Sequence, residues 1–132
     1  MILQGVLDKF TSKRKNKIKL LDVGCGYGSL KKIINKKNYG VGFSRNIGIN
    51  RSKGFYIAFL DCDDVWKKNK LKNQVNVMDK MKLDFSFTSY AVINESDDFL
   101  YNVPAKNFLT HADLLKSCDI GLSTVMIKRQ IL

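Results

Sequence analysis

The sequence predicts an α/β fold with a mostly parallel sheet and helices on both faces. Short apolar runs of strand length alternate with stretches whose apolar residues recur at helical spacing, the order of a repeated strand–helix unit. One run, "FYIAFL" (residues 55–60), is continuously apolar, as suits a central strand covered on both sides. Polar clusters follow two of the strands directly, and sheets of this type bind ligands at the carboxyl ends of their strands. The arrangement is Rossmann-like, and residues 1–132 have the length of a single domain.

Taken in order, "IKLLDV" (18–23) reads as a buried strand. Leu30, Ile33 and Ile34 then fall at i, i+3 and i+4, one stripe of a helix. "YGVGF" (39–43) reads as a second strand, and "RNIGINRSKG" as a polar helix or loop closed by Gly54. After "FYIAFL", Leu71, Val75, Met78 and either Met81 or Leu83 mark the buried side of a helix, with Asp63 or Asp64 as its N-cap. "DFSFTSYAVI" (84–93) is rich in aromatic and β-branched residues and reads as one strand. Thr110 and Asp113 have capping-box spacing at the head of "THADLLKSC". "GLSTVMI" (121–127) is the fifth strand.

The charge is lopsided: 23 Lys and Arg against 12 Asp and Glu, a formal +11. Such a balance attracts anions, including the anionic inner face of a membrane, although lysines decorating solvated helix faces produce the same total. Arginine is scarce and no base-stacking aromatic signature is present, so no specific nucleic-acid partner is expected. Cys25, Cys62 and Cys118 form no CxxC pair, which argues for a reducing compartment and against structural zinc. His111 is the sole histidine, leaving little for histidine-based metal sites. No apolar run has the length of a signal peptide core or a membrane span, so a cytoplasmic location is expected, with at most peripheral contact at the membrane's inner face.

Two turns carry the chemistry. In "LLDVGCGYGSL", Gly24, Gly26 and Gly28 lie between a strand and a helix, where glycines let a ligand approach backbone N–H groups closely. Asp22 precedes them and could hold a ligand amine or brace the loop. This stretch resembles the first motif of class I S-adenosylmethionine-dependent methyltransferases, over about residues 16–42. The resemblance implies S-adenosylmethionine binding at Asp22, Gly24, Gly26 and Gly28. In that family the second strand ends in an acid, and this chain has Phe43 and Ser44 there.

The other turn, "YIAFLDCDDVW", gathers Asp61, Asp63 and Asp64 within four positions of a chain otherwise poor in acids. Alternation along an extended segment would put Asp61 and Asp63 on one side, where two carboxylates suit Mg²⁺ or Mn²⁺ with positions left for diphosphate oxygens. "SRNIGINRSKGFYIAFLDCDDVWKKNKLKNQ" and the text after it resemble family 2 glycosyltransferases of the GT-A type, over about residues 35–132. That likeness implies a partial GT-A-like domain in which Asp61 and Asp63 engage the metal and Arg45, Asn46 and Asp61 the nucleotide. Ser44 stands where the family usually has alanine.

The implied partners are a nucleotide-sugar donor and a saccharide or lipid-linked acceptor, in the synthesis of bacterial surface polysaccharide. The family's base-cradling start and its catalytic-base element have no counterpart here, and neither Asp113 nor Asp119 matches the latter. The expectation is therefore an incomplete transferase that holds nucleotide and metal without turning over alone. Residues 1–37 form its methyltransferase-like segment and residues 38–132 its glycosyltransferase-like segment. Two alternatives stand beside it: a methyltransferase in which Asp61 belongs to a later cofactor-contacting turn, and a non-catalytic basic α/β remnant.

Overall fold

The computed structural model describes residues 40–61, 63–117 and 119–132. In chain order these form helix α1 (Val41–Arg51), strand β1 (Tyr56–Ala58), helix α2 (Lys70–Met81), and strands β2 (Phe85–Ser86), β3 (Tyr90–Ile93) and β4 (Phe99–Val103). The short helix α3 (His111–Lys116) and strand β5 (Met126–Lys128) follow. Single 3₁₀ turns, Leu122–Thr124 and Arg129–Ile131, lie on either side of β5. The glycine turn and the elements flanking it lie outside the described residues.

The mixed α/β character is present, with a specific strand arrangement. β5 lies between β1 and β2 and runs antiparallel to both, so that Ile127 is opposite Ile57 on one side and Phe85 on the other. β1 and β2 consequently run in the same direction and are joined through α2, a βαβ unit with a reversed strand inserted at its centre. The same-direction relation expected of a parallel sheet survives, while each pairing among the described residues is antiparallel. β3 and β4 form a separate hairpin. Its turn is organised by Asn94, whose Oδ1 accepts from the N–H groups of Ser96 and Asp98 at 2.9 Å each.

Helix α2 forms because its apolar residues hold one stripe. Leu71, Val75 and Met78 are buried and pack with Met126 of β5, and Tyr56, Ala58, Trp66 and Leu83 close around them. Met78 has no exposed surface at all. Burying side chains of this kind contributes roughly 1.5–3 kcal/mol apiece, which makes this cluster the main source of cohesion in the sheet. One residue on the stripe is polar. Gln74 is buried, and its Nε2 donates to the Thr124 carbonyl at 2.9 Å, to Ser86 Oγ at 3.0 Å and to the Ser86 carbonyl at 3.3 Å. A single side chain thus ties α2 to β2 and to the turn that leads into β5.

Several expected elements differ, each for a local reason. Residues 40–43 of "YGVGF" are not strand: Gly40 at φ 84° turns the chain, the Ser44 N–H donates back to the Gly40 carbonyl at 3.2 Å, and α1 begins at Val41; Tyr39 lies outside the described residues. A five-residue apolar alternation reads equally well as the first turn of a helix. Helix α1 also closes earlier than Gly54, at Ser52, whose Oγ donates to the Ile49 carbonyl at 2.8 Å. Neither Asp63 nor Asp64 caps α2, which starts at Lys70 after Asn69 with no side-chain cap. The intervening residues are held by a turn in which the Asp64 N–H donates to the Asp61 carbonyl at 3.1 Å.

At the far end of α2, Lys82 adopts a left-handed conformation at φ 53°, and the Leu83 N–H bonds the Met78 carbonyl at 2.9 Å. That reversal brings Leu83 back onto the core and leaves Met81 exposed. "DFSFTSYAVI" splits into β2 and β3, which belong to different sheets. The first half of "GLSTVMI" is a 3₁₀ turn rather than strand. The Thr110–Asp113 capping box forms in full, and the hydroxyl and backbone N–H of Thr110 hold the Asp113 carboxyl below the usual carboxylate range.

Replacing Gln74 with methionine keeps the volume and removes the donor, leaving the Thr124 carbonyl buried and unpaired. A loss of about 1–3 kcal/mol is expected in urea unfolding, smaller than the about 2–5 kcal/mol expected for Met78→Ala.

Candidate functional site

The acidic turn leaves β1 at its carboxyl end, with Asp61 three residues beyond Ala58. Arg45, on α1, reaches across to it: Arg45 Nη2 lies 2.7 Å from Asp61 Oδ1. Both side chains are partly buried, at 27% and 33% exposure, so the pair is reachable from solvent. Arg45 Nε is buried and has no hydrogen-bond partner among the described residues. The partly exposed remainder of the guanidinium keeps further N–H groups that can donate to an oxygen-rich group.

Two residues of the turn before β5 hold this corner. The Asp61 N–H donates to Ser123 Oγ at 2.9 Å, and Trp66 Nε1 donates to the Ser123 carbonyl at 2.7 Å. Next along, Thr124 offers its carbonyl to Gln74. Lys70 Nζ lies 4.4 Å from the centre of the Trp66 ring and donates to Gln74 Oε1 at 2.9 Å. Arg45, Asp61, Ser123, Trp66, Lys70, Gln74 and Thr124 therefore make one chain of contacts, drawn from four stretches of sequence. Burial within it pushes the Lys70 ammonium down from its ordinary 10.5 to about 8.

Of the residues that the sequence nominates, the structure brings Arg45 and Asp61 together. Asn46 is exposed on α1, and Asp63 is exposed in the turn. Asp22, Gly24, Gly26 and Gly28 lie outside the described residues. Asp113 is engaged by Thr110, and Asp119 forms an ion pair with Lys106. Ser123, Trp66 and Gln74 carry more of the site's geometry than their sequence context suggests. Their signals are nonetheless present: the polar Ser123–Thr124 pair interrupts an apolar run, and Gln74 interrupts an apolar helical stripe.

Asp61 and Asp63 offer carboxylate oxygens, the donor type that a hard divalent cation takes. Asp61 commits Oδ1 to Arg45 and keeps a second oxygen, and Asp63 adds a solvent-exposed carboxylate. Among the described residues no three His, Cys, Asp or Glu side chains converge. A cation here would take two protein carboxylates and complete its shell from phosphate oxygens or water, as Mg²⁺ and Mn²⁺ do at substrate-assisted sites.

Comparison with known proteins shows the family. Glycosyl transferase family 2 matches residues 14–129 of the chain, a span that includes the glycine turn. The chain is 40% identical over 99 residues to a Bacillus subtilis (strain 168) protein provisionally named as the teichuronic acid biosynthesis glycosyltransferase TuaG, covering 72% of this chain and 38% of that one. It is 35% identical over 103 residues to the UDP-Glc:alpha-D-GlcNAc-diphosphoundecaprenol beta-1,3-glucosyltransferase WfgD of Escherichia coli, covering 78% and 40%. It is 34% identical over 96 residues to the amylovoran biosynthesis glycosyltransferase AmsB of Erwinia amylovora, covering 66% and 32%. The chain thus spans well under half the length of each of these relatives. No solved structure matches it.

The Lys70 shift has a defined pH signature. Between about pH 8 and 10.5 the unfolded chain keeps a proton that the folded chain has released, so stability from this residue rises with pH across that window. The parent is expected to gain on Lys70→Met as urea midpoints are compared from pH 7.5 to 10. A difference that stays constant over this range counts against the buried-amine account.

Proposed function

Because the chain belongs to glycosyl transferase family 2, we propose that the turn after β1 is the donor site of a sugar-nucleotide-dependent transferase acting in bacterial surface-polysaccharide synthesis. The observation that carries this reading is the Arg45–Asp61 ion pair at 2.7 Å. It joins two motif segments at the mouth of a strand. Asp61 and Asp63 would hold Mg²⁺ or Mn²⁺, and Arg45, Asn46 and Asp61 would contact the nucleotide. When bound, the cation supplies charge neutralisation for the departing nucleoside diphosphate.

The residues of this chain bind and orient. Arg45 fixes the Asp61 carboxylate before any ligand arrives, so one of its oxygens is presented in a set direction. Orientation held in advance costs less on binding than orientation imposed by the ligand. Neither Asp113 nor Asp119 is proposed as the base that would take the acceptor's proton, since both are engaged elsewhere. The donor is proposed to be a nucleotide-sugar, and the acceptor a saccharide or lipid-linked saccharide. WfgD, by its name, takes UDP-Glc, which makes UDP the first nucleotide to try. No helix among the described residues is long and apolar enough to cross a membrane.

Calorimetric titration of the chain with UDP, GDP and CDP, with and without Mn²⁺, tests the proposal. One nucleotide is expected to bind at least tenfold more tightly with Mn²⁺, and Asp61→Ala and Asp63→Ala are each expected to remove that metal dependence. Metal-dependent binding that survives both substitutions would place the site elsewhere.

A further inference from the structure

We infer that Ser123 is a positioning residue of this site, acting on the acidic turn through Asp61 and Trp66. The inference rests on the donor-site reading above and assigns a role to a residue 62 positions away from the aspartate it holds. Ser123 is buried at 8% exposure, and it uses both of its acceptors on the same turn. Its hydroxyl oxygen receives the Asp61 N–H at 2.9 Å, and its carbonyl receives Trp66 Nε1 at 2.7 Å. The two contacts are five residues apart along the turn and bracket Asp63, which has no such tether of its own.

The backbone of Ser123 is fixed independently of the turn. The Thr124 N–H and hydroxyl both donate to the Gly121 carbonyl, at 3.0 Å and 2.6 Å, closing the 3₁₀ turn around Ser123. Gln74 then anchors the Thr124 carbonyl to α2. Ser123 is therefore a fixed point set by the core, and the acidic turn is the part that adjusts to it. A carboxylate that must share a cation with diphosphate oxygens needs its backbone held in this way, because small displacements of ligating oxygens weaken binding. Removing the partner of a ligand residue typically costs about 10–100-fold in metal affinity.

The interaction separates cleanly by substitution. Ser123→Ala deletes the oxygen on the Asp61 N–H and retains the carbonyl on Trp66, whereas Ser123→Thr retains both acceptors. Val75→Ala opens a cavity in the core and deletes no hydrogen bond to the turn, and controls for loss of stability. The chain with each substitution is titrated with Mn²⁺ and the nucleoside diphosphate that the parent binds. Amide hydrogen exchange over residues 61–66 and urea midpoints are recorded alongside.

Ser123→Ala is expected to weaken Mn²⁺-dependent binding about tenfold or more and to speed exchange at Asp61. Ser123→Thr is expected to return both toward the parent. Val75→Ala is expected to lower the urea midpoint while leaving the affinity within about twofold. If Ser123→Ala binds as tightly as the parent, or if Val75→Ala weakens binding equally, Ser123 has no positioning role and the donor-site reading stands. If the parent binds no nucleoside diphosphate with Mn²⁺, the donor-site reading fails and the assignment of Ser123 falls with it.

Discussion

The fold described here depends on one buried amide. Gln74 stands on the apolar stripe of α2 and donates to the Thr124 carbonyl and to both oxygens of Ser86. A donor in this position satisfies carbonyls that the three-stranded sheet leaves unpaired, and unpaired buried carbonyls are costly. It also fixes the distance between α2 and the turn entering β5, which a purely apolar contact would leave free to slide. Hydrophobic burial supplies most of the cohesion, and Gln74 specifies the register in which that burial occurs.

The ion pair at the site has a different standing. Arg45 and Asp61 are each about one-quarter to one-third exposed, and pairs of that kind contribute about 0–1 kcal/mol to stability. The architecture does not lean on them. Asp61 can turn its second oxygen to a ligand while keeping Arg45, with little cost to the fold, because Ser123 holds its backbone and Gln74 holds the sheet. The residues that bind and the residues that hold the structure are thus neighbours in one network, yet they answer to different forces.

Much of this was legible in the sequence, for identifiable reasons. The α2 stripe at Leu71, Val75 and Met78 follows from its helical period, and β1 from an apolar run bounded by Gly54 and the acids. The Thr110–Asp113 cap follows from spacing alone. Arg45 and Asp61 were joined only by the resemblance to family 2 glycosyltransferases, since no local pattern predicts a contact across sixteen positions. What stayed hidden depended on tertiary partners. Residues 41–43 are helix because Gly40 and Ser44 close a turn there, and α2 starts only at Lys70, beyond the turn in which Trp66 is anchored to Ser123. Ser123 itself looked like an ordinary member of a strand, and its importance comes entirely from what folds against it.

The placement of β5 between β1 and β2 has a consequence for how the protein is made. The pairing of Tyr56 with Lys128 waits until Lys128 has been synthesised, and at ~5–20 residues per second this interval is roughly 4–14 s. Until then β1 and β2 lack the β5 partner they share, and the acidic turn lacks its Ser123 support. The arrival of β5 completes the β1–β5–β2 pairing and brings Ser123 to the acidic turn together.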